Sequence, residues 1–185
     1  MILFLLLTIQ EPYLPPLPPT VQSQIYSVDG KKIYVTGGPD EGFTERLKKV
    51  LDRYPNANLV QIDSGAPGFT ESLAAARLLN SRGITIKVEN QCSRGCAYLW
   101  AATNKRWVGK FGAIAITPDT FSRSPANTFT PMPKRPEGKQ ALQILTGAGI
   151  PRERVLQSWK NPRNLHHWLS SDELIRLQVH LTRSE

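Results

Sequence analysis

The stretch NLVQIDSGAPGFTESLAAARLLNSRGITIKVE, residues 58–89, decides the fold. Its two ends, NLVQIDS and ITIKVE, are short runs rich in aliphatic and β-branched residues, the composition of buried strands. Between them, ESLAAARLLNSRG has the alanine and leucine content of a helix, and Gly83 stands where such a helix stops. Strand, helix and strand in this order imply a right-handed crossover, which makes the two strands part of a parallel sheet.

Upstream, DEGFTERLKKVLDRYP places Phe43, Leu47, Val50 and Leu51 at helical spacing, with acids at its start and Pro55 just past its end. Before it, QIYSVDGKKIYVTG holds two β-prone runs broken at Asp29 and Gly30, a dipeptide suited to a two-residue hairpin turn. Downstream, CAYLWAAT reads as a helix and KRWVG and AIAIT as strands. GKQALQILTGAG, PRERVLQSWK and SSDELIRLQV read as three short helices, the second with Pro151 in its first turn. The expected fold class is α/β, with repeated βα units around a mostly parallel sheet and helices at the C-terminus. Tyr98, Leu99, Trp100 and Trp107 are expected to pack helix against sheet, and Trp159 and Trp168 to anchor the terminal helices.

With 185 residues, 40% of them hydrophobic, the chain suffices for one domain with a substantial core, assigned to residues 23–181. Residues 118–136, PDTFSRSPANTFTPMPKRP, hold five prolines and no periodicity, which predicts a long flexible surface loop. Residues 1–22 begin with a short apolar run and continue into a proline-rich stretch that favours an extended tether. The run is too short to span a membrane, for which about 20 residues are needed. It resembles part of a signal peptide without the basic start or the small-residue cleavage site. Export to the periplasm or the exterior is expected, with the cytoplasm as the alternative. The formal charge of +8 comes from basic residues scattered beside acids, so no nucleic-acid groove is expected.

Both cysteines lie in QCSRGCAYLWAA, residues 91–102, at the mouth of the predicted helix. Two thiols with no third cysteine or histidine nearby make a poor tetrahedral metal site, and CxxxC is not the thioredoxin-type CxxC. No metal and no cofactor are expected. Cys92 and Cys96 form either a local disulfide, the favoured reading, or two buried thiols. Ser93 reads as the helix N-cap, and Asp63 and Ser64 as polar caps at a strand end in preference to substrate contacts.

Four segments in this order resemble the Clp protease and crotonase superfamily, specifically the periplasmic Clp-like proteins. They are VDGKKIYVTGGPDEGFTERLKKVL, LVQIDSGAPGFTESLAAARLLNSRGITIKV, CSRGCAYLWAATNKRWV and GIPRERVLQSWKNPRNLHHWLSSDEL. The resemblance runs from about Tyr26 to Leu181 and implies a nucleophile turn framed by the two cysteines. The family's CxSxC serine, however, falls on Arg94, which offers no nucleophile at neutral pH. An ungapped count puts the family's general-base histidine at Thr117, which cannot accept a proton near pH 7. Gly65, Ala66 and Pro67 fall on its oxyanion-binding Pro-Gly-Gly, and proline has no amide to donate. A one-residue shift would restore Pro67-Gly68.

These departures imply a non-catalytic Clp-like domain serving as a binding or assembly module for a protein or peptide. Superfamily relatives form rings or trimers, so the resemblance also implies a homo-oligomer. The alternative is a divergent serine peptidase or hydrolase using Ser93, with Lys87, Lys105 or Lys110 as base and the 118–136 loop as a lid. The histidines, His166, His167 and His180, read as polar faces of short helices rather than as a relocated base. Arg94 itself reads as a solvated arginine or as a ligand for a carboxylate or phosphate.

Overall fold

The computed structural model describes residues 22–38, 40–64, 68–116, 136–160 and 167–182. In chain order the elements are β1 (Gln24–Ser27), β2 (Lys32–Thr36), α1 (Phe43–Arg53), β3 (Leu59–Asp63), α2 (Phe69–Ser81), β4 (Thr85–Val88) and β5 (Gln91–Cys92). There follow α3 (Gly95–Ala102), β6 (Arg106–Val108), β7 (Ala113–Ala115), α4 (Pro136–Gly147), α5 (Arg152–Lys160), β8 (Trp168–Ser170) and α6 (Ser171–Arg176).

The 58–89 stretch forms the expected unit, with β3 and β4 parallel neighbours and Val60 level with Ile86. Around it lies a five-stranded sheet of order β1-β2-β3-β4-β6, parallel except for β1. Side chains alternate across each strand, so Ile33, Val35, Val60, Ile62, Ile86 and Val88 share one face, and all are buried. Phe43, Leu47 and Leu51 of α1 and the whole of α3 up to Ala101 belong to the same core, while Val50 is only partly buried. The fold is therefore mixed α/β with a mostly parallel central sheet. Among the described residues no helix is long and apolar enough to cross a membrane.

Among the described residues, some helix ends are satisfied by a neighbouring element and others from within. The first helix starts at Gly42, which has no side chain to cap it. Glu71 of α2 supplies the missing acceptor, taking bonds from the amides of Gly42 and Thr44 and from the Thr44 hydroxyl at 3.2, 3.0 and 2.6 Å. The second helix ends as Gly83 predicted. Gly83 takes φ +64°, its amide bonds to Asn80, and the next amide, of Ile84, bonds back to Leu79. At α6, Ser170 and Glu173 form a reciprocal capping box.

Three expectations are corrected. The β1–β2 connection is four residues, 28–31, and not two, because the Asp29 carboxylate accepts from the amides of Lys31 and Lys32 and organises a wider turn. A second sheet of order β5-β7-β8 is present, in which β5 and β8 were not expected and Trp168 lies on a strand instead of a helix. Pro136, placed in the loop, opens α4, while positions 117–135 lie outside the described residues.

Among the described residues Arg106 is the most buried cation, 7% exposed and with no carboxylate partner there. Its guanidinium donates to the carbonyls of Ala101 and Thr103 at the end of α3, Ala148 just past α4, and His180. Helix C-termini carry partial negative charge, so one cation serves two of them together. Burial lowers its pKa from the ordinary value, yet an arginine in this setting keeps its charge. The backbone of Arg106 also pairs with Thr182, which holds the end of the described chain against β6.

Candidate functional site

The cysteine stretch forms an elbow. β5 ends at Cys92, Ser93 and Arg94 make the turn, and α3 begins at Gly95. β3 runs on to meet it: the Ser64 amide donates to Gln91 and the Ser93 amide donates to Ser64, each at 2.8 Å. On its other side β5 pairs with β7, Cys92 level with Ile114. Two sheets therefore share this corner, which fixes where the helix starts.

Arg94 occupies the apex with φ 54° and ψ −126°. That region suits glycine; a side chain held there stores roughly 1–3 kcal/mol and signals a constrained position. Sharp strand-to-helix turns of this kind present nucleophiles in several hydrolase folds. Here the turn presents an exposed guanidinium that makes no hydrogen bond or ion pair with any described residue. The Arg94 carbonyl accepts from the Tyr98 amide, so Arg94 is the N-cap residue. This corrects the N-cap reading of Ser93, because no side chain caps α3. Ser93 is instead a buried residue, 6% exposed, with its amide bonded into the β3 extension.

Cys92 and Cys96 are joined in a disulfide, with their α-carbons 5.3 Å apart and both residues fully buried. The bridge closes a ring across the elbow, one cysteine in β5 and the other in the first turn of α3. Behind it, α3 is apolar all round and buried on all sides. Tyr98 meets Phe69 of α2 edge to face at 5.0 Å, and the Trp100 indole donates to the Trp107 carbonyl at 3.3 Å.

Asp63 is structural. Its carboxylate accepts from the amides of Glu89 and Asn90 and from the Asn90 side chain, clamping the turn that delivers β5. Of the lysines considered as bases, Lys87 is ion-paired with Glu89 and lies over Trp107, and Lys110 lies over Phe111. Lys105 sits beside Gly83 in the turn after α2. None of the three hydrogen-bonds to Ser93. Gly65, Ala66, Pro67, Thr117 and His166 lie outside the described residues.

Two histidines depart from the helix-face reading. His180 follows α6 in a segment without regular structure, and its backbone bonds to Ala148 and Arg106. His167 immediately precedes β8, and its carbonyl accepts from the Ile116 amide. The register that pairs Cys92 with Ile114 puts Ile116, and with it His167, at the end of the second sheet where the elbow leaves β5. Strand spacing sets β5 and β8 about 10 Å apart across β7. Sequence inspection missed this placement because β8 has only three residues. The Trp159 indole and the Ser158 hydroxyl both donate to the Ile116 carbonyl, tying α5 to the same corner.

No family model matches the chain, and no curated protein matches it significantly. Among solved structures it is similar to a crystal structure described only as that of an enzyme, with a TM-score of 0.56 and 11% identity. The match covers 83% of this chain and 95% of that one. At that identity the likeness carries the fold alone, an α/β architecture with a mostly parallel central sheet.

Proposed function

We propose that the chain is a non-catalytic domain of the Clp and crotonase type that binds a protein or peptide partner. The observation that carries this reading is Arg94 at the apex of the elbow: the backbone turns sharply from strand to helix, and the side chain is a cation. An arginine there supplies no electron pair for attack on a carbonyl, and it does supply a planar fork of donors for a carboxylate. The burial of Ser93 also weighs against a shifted nucleophile.

The chemistry left to the site is recognition. A carboxylate approaching Arg94 meets the guanidinium and the start of α3, whose first amides have no side-chain cap. The buried disulfide fits an oxidising compartment and so supports a periplasmic or secreted location. The resemblance to ring- and trimer-forming relatives adds homo-oligomerisation to the proposal, for which the mass in solution is the check.

Titration with acetylated tetra-alanine bearing a free C-terminal carboxylate tests the binding role. The reading expects saturable binding, weakened about tenfold both by Arg94→Ala and by amidation of the peptide, the scale of one charge-assisted contact. Equal affinity of the wild type and Arg94→Ala would sink it.

A further inference from the structure

We infer that the Cys92–Cys96 disulfide is a redox latch on the elbow: its reduction releases Arg94 from the apex conformation. With Cys92 fixed in β5 and Cys96 in the first turn of α3, the closed ring holds the residue midway between them. That residue is Arg94, one of only two non-glycine residues with positive φ among those described. Arginine is a good helix former, and its carbonyl already accepts from the Tyr98 amide. Without the bridge, the low-energy course for residue 94 is to take helical angles and lengthen α3 backwards. Opposing that course are the bonds of β5, chiefly those joining Ser64 to Gln91 and Ser93.

The partner this implies is a dithiol. One of its thiolates attacks a bridge sulfur to give a mixed disulfide, and its second thiolate displaces the protein sulfur. The protein gains two electrons and two protons and is left with two thiols, while the reductant leaves as a cyclic disulfide. Both cysteines are fully buried, so attack follows a local opening of the elbow and the bridge persists until a reductant is present. As a gate on binding, the latch rests on Arg94 being the binding group.

Hydrogen exchange on the full chain, before and after reduction with dithiothreitol, tests the latch without any ligand, with iodoacetamide capture verifying two free thiols. Reduction is expected to accelerate exchange at the Ser93 amide, whose bond to Ser64 is given up as α3 lengthens, at least about tenfold, and to leave unchanged the Tyr98 amide, still bonded to the Arg94 carbonyl, and the Ile86 amide of the first sheet. In Arg94→Gly, where glycine takes the apex angles without strain, reduction is expected to leave the Ser93 amide protected. A bridge that stays oxidised in excess dithiothreitol would overturn the inference. So would unchanged exchange at Ser93 in the reduced wild type, equal acceleration at Ile86, or acceleration in Arg94→Gly as large as in wild type. Failure of the tetra-alanine peptide to bind removes the carboxylate role alone, since exchange is read without it.

Discussion

An arginine at φ 54° is unfavourable unless its surroundings compel it, and here β5, α3 and the disulfide meet around it. Arg94→Gly is therefore predicted to stabilise the oxidised protein by about 1 kcal/mol, the strain removed less the greater chain entropy of glycine in the unfolded state. Urea unfolding of the two proteins measures it, and a destabilised Arg94→Gly would mean the guanidinium makes contacts of its own. The unusual chemistry of this position was legible in the sequence, since arginine between two cysteines at a helix start offers no nucleophile. Its backbone was not. The positive φ on arginine depends on the bridge and also on strands that pair β5 to Ser64 and β7, contacts from distant parts of the chain. For the same reason serine at position 93 suggested a cap, although the turn buries it.

At the scale of elements, α1 depends on a carboxylate from its neighbour. Glu71→Ala removes the acceptor for the Gly42 and Thr44 amides and is predicted to cost about 1–2 kcal/mol, read from the urea midpoint. Burial pushes the Glu71 carboxyl upward. The Thr44 hydroxyl and amide, the Gly42 amide and the charge of Arg46 outweigh it and hold the pKa below the ordinary 4.5. Asp40 follows the same pattern: burial raises it, and Ser23 and Arg46 bring it below 3.8. A depressed folded-state pKa stabilises the fold above the unfolded value and ceases to do so as pH falls through the folded one. Stability is therefore predicted to decline on acidification from about pH 4.5 downward, and Glu71→Ala to show a shallower decline than wild type in denaturation midpoints taken across that range. Long periodic elements such as α1 and the β3–α2–β4 unit were legible because they repeat a burial pattern. The two residues of β5 and the three of β8 carry no period, and pairing partners alone define them.

Across the whole molecule, the two sheets meet at the elbow, and the segments that follow α4 and α6 are tied at the far end through Arg106. That guanidinium joins the ends of α3, α4 and the terminal segment, so Arg106→Met is predicted to cost about 3 kcal/mol or more by leaving buried carbonyls without donors. A fall in thermal midpoint of less than 2 °C would count against that account, since roughly 2–4 °C accompanies each kcal/mol in a chain this size. Under the proposed function, this architecture is a nucleophile turn without a nucleophile. Intact-mass analysis after incubation with a fluorophosphonate, on wild type and Ser93→Ala, tests it most directly. Both proteins are expected to keep their unmodified mass. A stoichiometric adduct on the wild type that disappears in Ser93→Ala would contradict it and make Ser93 the nucleophile of a working hydrolase.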